Sequence, residues 1–320
     1  MRLVVIGTGP FAAPTFRALY DTPHEVLALV TQPLRAARPG REPPPSPMRA
    51  VAAEHGTPIL DPEKINTDEA RAELARLEPE LFVVADYGQI LSAETLAIAP
   101  RGGINLHGSL LPKYRGAAPI NWAIYHGDAE TGVTVIQMTP RVDSGPALAQ
   151  ARTAIDLEEN AVELEARLAA LGAPLVCQTI DDLAAGQAQS LLQDPALASP
   201  ARRLQKTDGA IDWSRSAREI KNQIRALEPW PKTYTFWRRQ AGEPLRLILG
   251  RCEVRPLAGS ASSPGTVIEA AGDQLLIAAG DGALALGELQ PAGKRLLSAE
   301  ELLRGYPVRA GERFGPEKDG

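Results

Sequence analysis

Four short apolar runs decide what this chain can fold into: "LVVIG" at 3–7, "EVLALV" at 25–30, "ELFVVA" at 80–85 and "GINLHG" at 103–108. Their short length, aliphatic and β-branched content and polar or glycine flanks predict buried strands. Helical patterns separate them at Phe11–Leu19, Ser46–Glu54 and Asp68–Leu77. That alternation predicts a Rossmann-like α/β open sheet with helical crossovers, whose sites lie beyond the carboxyl ends of the strands. After Gly127, "TGVTVIQMT" and "PALAQAR" follow closely enough to pair antiparallel, so the sheet is expected to be mostly parallel. An Ala/Leu-rich helix over about 160–186 completes a first domain at residues 1–188.

Residues 189–206 lack periodicity and contain two prolines, the composition of a linker. Beyond them the texture changes. A helix over about 216–227 carries Ser216 and Glu219 at capping-box spacing. Short strands broken by Gly/Pro turns follow: "TYTFWR", "LRLILGRCEV", "GTVIEA", "QLLIAAG" and "ALALGELQ". This pattern predicts a small, OB-like β-barrel domain over 207–315.

Charge is divided unevenly. Residues 201–320 hold 19 Lys/Arg against 15 Asp/Glu, whereas the whole chain has 34 against 39, so the basic second half points to an anionic partner. In its helix Ile220, Ile224 and Leu227 fall on one side, with Arg218, Lys221 and Arg225 on the other. Arg238, Arg239, Lys294 and Arg295 add to the basic population, and the combination indicates nucleic-acid contact. Trp213, Trp230 and Trp237 are assigned to the core. No apolar stretch approaches the ~20 residues of a membrane span. Cys177 and Cys252 belong to no CxxC pair, which indicates a reduced, cytoplasmic setting. The four histidines show no metal-ligand spacing, so no metal is expected.

Three stretches carry chemistry. "GTGPFA" at 7–12 has the form of a dinucleotide turn, but the second strand runs into "TQP" without the acidic residue that would hold a ribose, so no nicotinamide cofactor is expected. Residues 31–47 pack six prolines and three arginines into one connection, a stiff loop whose guanidinium groups suit phosphates. The strongest signal is "INLHGSLLPKYRGAAP" at 104–119. Asn105 and His107 are two apart on a strand, so both side chains leave the same face. One can donate an amide N–H and the other can exchange a proton. Asp143 in "RVDSGPAL" sits in a turn between two strands, from which a carboxylate could return to orient His107.

"NLHGSLLPKYRGAAPINWAI" together with "GVTVIQMTPRVDSGPAL" resembles the signature of the folate-dependent formyltransferases. "LQKTDGAIDWSRSAREIKNQIRALEPWPKTYT" and "LQPAGKRLLSAEELLRGY" resemble the carboxyl-terminal domain of those members that act on methionyl-tRNA. The resemblance implies transfer of a formyl group from 10-formyltetrahydrofolate to the α-amine of initiator methionyl-tRNA, by a protein that is generally monomeric. It makes Asn105, His107 and Asp143 the catalytic trio. It places Ser109, Leu110, Leu111 and Pro112 along the folate pocket. "ADYGQIL", with Tyr87, Gly88 and Ile90, would be the loop against the pterin, although Ser92 replaces the proline usual at its end. The loop with Arg35, Arg38 and Arg41 stands where the family places a basic insertion on the acceptor stem, and it lacks the usual Arg-Gly-Lys pattern. Formyltransferases of the same superfamily acting on a ribonucleotide or an amino-sugar nucleotide share the trio without needing the basic second domain. An RNA-binding module with an inactive α/β domain is a different class of reading, against which the intact trio argues.

Overall fold

In the computed structural model, which describes residues 1–34, 46–239, 242–257 and 262–317, strands form at Arg2–Gly7 (β1), Glu25–Val30 (β2), Ile59–Leu60 (β3), Leu81–Ala85 (β4) and Gly103–His107 (β5). The two-residue β3 has no counterpart in the apolar pattern. Neighbours among these five pair in parallel. Between them lie helices α1 (Ala13–Leu19), α2 (Pro47–His55), α3 (Asp68–Arg76) and the short α4 (Ala93–Leu96). Local chemistry sets several ends: Pro10 opens a 3-10 turn before α1, Thr67 and Ser92 cap α3 and α4 through their hydroxyls, and left-handed Gly56 ends α2.

The chain continues through β6 (Arg115–Gly116), α5 (Pro119–His126), β7 (Glu130–Gln137), β8 (Ala147–Ala154) and α6 (Ala161–Ala185). β7 pairs antiparallel with β5 and β8 with β7, which gives the sheet order β3-β2-β1-β4-β5-β7-β8. The strand order reverses at β1, so the turns leaving β1 and β4 diverge and open a crevice at their carboxyl ends. β1 and β4 are buried almost throughout, whereas edge strand β8 alternates between partly buried and exposed positions.

α6 corrects the expectation about apolar length. At 25 residues it is long and apolar enough, by length and composition, to cross a membrane. Here Leu164, Leu168, Val176 and Ile180 are fully buried in a globular core. Gly172 lets the helix approach β5 closely, because a Cβ there would come within 2.6 Å of the Leu106 side chain.

Two compact units divide the chain. The first comprises Met1–Ile120, Ala129–Ile155 and Glu163–Arg203; the second comprises Asn121–Asp128, Asp156–Val162 and Leu204–Gly320. Within the first, β9 (Pro200–Ala201) pairs with β6. The second holds α7 (Ala217–Ala226) and α8 (Ala299–Gly305), with strands β10 (Thr233–Arg238), β11 (Leu245–Leu249), β12 (Cys252–Arg255), β13 (Val267–Ala271), β14 (Gln274–Ala278), β15 (Ala283–Leu286), β16 (Glu288–Pro291), β17 (Leu297–Ser298) and β18 (Arg313–Gly315). They form two antiparallel sheets, β17-β16-β11-β10-β18 and β12-β15-β14-β13. Ser216 and Glu219 form the expected capping box at the start of α7, and Ser298 and Glu301 form another at α8. Trp213 and Trp237 are core residues, hydrogen-bonded to Thr235 and Glu312. Trp230 departs from its assignment: it is 49% exposed, between two prolines.

Replacing Gly172 with Val would drive a branched side chain into Leu106, the residue between Asn105 and His107. Urea unfolding should then show a loss of ~1–3 kcal/mol in stability.

Candidate active site

β5 carries Asn105 and His107 to the carboxyl end of the sheet, paired across the ladder with Ile136 and Thr134 of β7. His107 is 5% exposed, and both of its ring nitrogens face oxygen. Nε2 lies 2.9 Å from the carbonyl of Tyr114, and Nδ1 lies 3.5 Å from Oδ2 of Asp143. We assign the N–H of the neutral ring to Nε2, whose carbonyl partner is the nearer of the two acceptors, which leaves the lone pair on Nδ1, toward Asp143. Proton uptake then gives the ring a donor for each acceptor.

Asp143 is placed from both sides. Its Oδ2 accepts from the backbone N–H of Gly116 at 2.9 Å, and its backbone is left-handed, with φ at 48°. A non-glycine residue there costs roughly 1–2 kcal/mol, less for aspartate than for bulkier residues, so its neighbours must hold the turn. The structure thus brings His107 and Asp143 together. Asn105 is hydrogen-bonded to neither: it is partly exposed, and its amide has no hydrogen-bond partner among the described residues.

The loop between β5 and α5 has little regular structure, so side chains satisfy much of its backbone. Thr134, fully buried, donates to the carbonyl of Ser109 at 2.7 Å and accepts from the N–H of Leu111 at 3.1 Å. Gln150 donates to the carbonyl of Leu111 and to the Thr134 hydroxyl. Ser109 spends its own hydroxyl on the carbonyl of Lys113 at 2.7 Å.

These partners sort the folate candidates. Ser109 and Leu111 are buried within the loop, and Tyr87 belongs to the core cluster with Val4, Ile6 and Leu91. Burial pushes the Tyr87 phenol up to about 12. Gly88 and Ile90 are exposed, and Leu110 and Pro112 partly so. Asn66 anchors the turn that holds Gly88 and Ile90 by donating to the carbonyl of Ile90 and accepting from the N–H of Ser92.

Two carboxyl groups here escaped the sequence reading. Asp86 follows β4 and lies so close to Gly9 that a Cβ there would fall 1.7 Å from its Oδ2. Crowding by its neighbours strips part of the water from Asp86 and pushes it up to about 6, although the residue keeps an exposed face. On α6, burial and then the charge of Asp86 push Glu165 up to about 7. Neither follows a motif, because the shifts come from neighbours distant in sequence. Among the described residues, no group of three or more His, Cys, Asp or Glu is placed to hold a metal ion.

The basic candidates also separate. Arg35, Arg38 and Arg41 lie outside the described residues. Arg218 and Lys294 are exposed, and their side chains have no ion pair or hydrogen bond among the described residues. Arg295 pairs with Glu301 at 2.7 Å, and Lys221 with Glu158 at 2.5 Å. Arg225 corrects the expectation of an open stripe. It is 8% exposed and donates to the carbonyls of Asp156 and Glu159 at 3.0 and 2.6 Å. Loss of hydration lowers its affinity for its proton. The segment 156–162 packs over that side of α7, which a helical wheel cannot foresee.

Comparison with known proteins gives consistent matches. Residues 1–180 match the formyl transferase family model, and residues 203–307 match that of the formyl transferase C-terminal domain. The chain is 42% identical over 315 residues to a methionyl-tRNA formyltransferase of Geotalea daltonii, covering 98% of each chain. It is 44% identical over 301 residues to one of Pseudomonas paraeruginosa, covering 94% of each. In fold it resembles the N-formyltransferase of Helicobacter canadensis, solved with folinic acid and dTDP-3-aminofucose: TM-score 0.67 at 17% identity, covering 89% of this chain and 98% of that one.

Thr134→Val keeps the shape but removes the staple on Ser109 and Leu111. It should destabilise the protein by ~1–3 kcal/mol in urea unfolding, because a buried N–H loses its partner. Glu165 binds protons more tightly folded than unfolded, so its contribution to stability is greatest below the ordinary carboxyl range and falls as pH rises through about 7. Glu165→Gln should therefore raise the thermal midpoint by ~2–4 °C at pH 8, with the gain vanishing near pH 4.

Proposed function

The chain belongs to the formyl transferase family, and we propose that it moves a formyl group from 10-formyltetrahydrofolate to the α-amino group of initiator methionyl-tRNA. The observation that carries this reading is identity above 40%, through both units, with methionyl-tRNA formyltransferases matched along nearly their whole length. The site supplies what such a transfer needs.

The attacking amine must be neutral, and α-amino groups titrate near ~7.7–8.0. As its nitrogen bonds to the formyl carbon, the carbonyl oxygen gains negative charge. The uncommitted amide of Asn105 donates to that oxygen, a contribution of ~3–4 kcal/mol for one well-placed donor. His107 takes the amine's proton on Nδ1, and the resulting N–H turns to Asp143. The bond from the formyl carbon to the folate nitrogen then breaks, and that nitrogen recovers the proton from His107. Gly88, Ile90, Leu110 and Pro112 line the folate side, with Tyr87, Ser109 and Leu111 shaping the loops beneath them.

Of the candidates in the second unit, Arg218 and Lys294 are unpaired and are offered to the RNA backbone, together with Arg35, Arg38 and Arg41 of the basic connection. Arg295 and Lys221 contribute only if they leave their carboxylates, and Arg225 serves the fold. The two antiparallel sheets constitute a small OB-like barrel, consistent with the backbone bond from the N–H of Gly250 to the carbonyl of Glu288 and the bridge between Thr266 and Arg313. The protein acts as a cytoplasmic monomer.

With formyl-folate supplied, methionyl-tRNA should be formylated and free methionine should not; equal labelling of both would defeat the reading. Asn105→Ala and His107→Ala should each lower turnover at least ~100-fold with folate affinity retained, as single-turnover assays and folate titration would report. Near-normal turnover in either variant removes that residue from the mechanism.

A further inference from the structure

We propose that Gln193 is a positioning residue for this site: it fixes the Asp143 turn and the loop bearing Arg115 and Gly116 around His107. Its Nε2 donates to the carbonyls of Asp143 and Gly145 at 2.9 and 2.7 Å. Its Oε1 accepts from Nε and Nη2 of Arg115 at 3.0 and 2.7 Å. A side-chain amide has two N–H donors and two acceptor lone pairs, and all four are used here. One group therefore joins the two loops whose meeting places the Asp143 carboxylate against the N–H of Gly116 and the ring of His107.

The surroundings show that hydrogen bonding, not apolar burial, places this segment. Leu191, Leu192 and Leu197 are 74%, 81% and 64% exposed, while the amide between them is turned inward. That inverts the usual partition of apolar and polar side chains. Leu191 exchanges both backbone hydrogen bonds with Ala147, at 2.8 Å each. Farther along, the Ser199 hydroxyl accepts from the N–H of Tyr114 at 2.9 Å, and its carbonyl accepts from the N–H of Arg115 at 2.8 Å. The segment is thus tied on both sides of Gln193, once to the strand after the Asp143 turn and once to the loop that supplies the Tyr114 carbonyl. Gln193 acts on the reaction through Asp143 and touches no reacting atom.

This inference rests on the reading of Asp143 as part of the reacting site, and the test separates the two. Gln193→Met keeps the length of the side chain without its hydrogen bonds. Gln193→Glu keeps the acceptor toward Arg115 and loses the donors to the two carbonyls. In both, kcat for methionyl-tRNA formylation should fall ~10–100-fold, the scale of a small misplacement of a reacting group, with both KM values within about twofold. Thermal midpoints should fall by no more than a few degrees, so both variants are folded when assayed; if the Met variant fails to fold, the near-isosteric Glu variant decides. Each Gln193 change, made in an Asp143→Asn background, should cause no further loss. Independent, multiplying losses, an effect confined to KM, or unchanged kcat would overturn the role of Gln193. Unsubstituted turnover in Asp143→Asn alone would instead overturn the placing of Asp143 in the reaction.

Discussion

The site depends on one imidazole held between two oxygen acceptors. The Tyr114 carbonyl and the Asp143 carboxylate approach the ring of His107 from its two nitrogens, so tautomer and orientation are fixed together. Little freedom remains in a ring that is 5% exposed. The gap of 3.5 Å to Asp143 is longer than a charge-assisted hydrogen bond, which suits a contact that tightens when Nδ1 gains a proton.

Holding two acceptors in place is costly where the backbone is irregular. The loop after β5 and the turn at Asp143 have few ladder bonds of their own, so buried hydroxyls and amides from other parts of the first unit complete them. Thr134 and Gln150 come from the neighbouring strands β7 and β8, which pair with each other except at a register shift beside Val135. Gln193 and Ser199 come from a stretch with no periodic pattern, and they hold by polar contacts alone. Rigid elements thus fix one wall of the site, and a hydrogen-bonded strap fixes the other.

Much of the architecture was legible because period and punctuation are local. The strands expected at 3–7, 25–30, 80–85 and 103–108 formed within a residue of their patterns, and the long helix spans Ala161–Ala185. The run "LRLILGRCEV" divides at Gly250 into β11 and β12, which join different sheets. Capping at Ser216 was readable from four letters, since the box lies within a single helical turn. Arg225 and Trp230 were not readable. One is covered by chain some 66 residues earlier, and the other stands out where a core position was expected.

By itself the sequence determined the mostly parallel sheet and the emergence of Asn105 and His107 from one face of β5, because alternation along a strand needs no distant partner. It also marked Asp143 as a turn residue. Only the tertiary structure decided which nitrogen of His107 keeps its proton, how the Asp143 carboxylate is caught by Gly116, and that Gln193 joins the two loops. Those outcomes depend on groups 7, 27 and 50 residues apart. Contacts between such groups are set by how whole strands and loops pack, which no local pattern encodes.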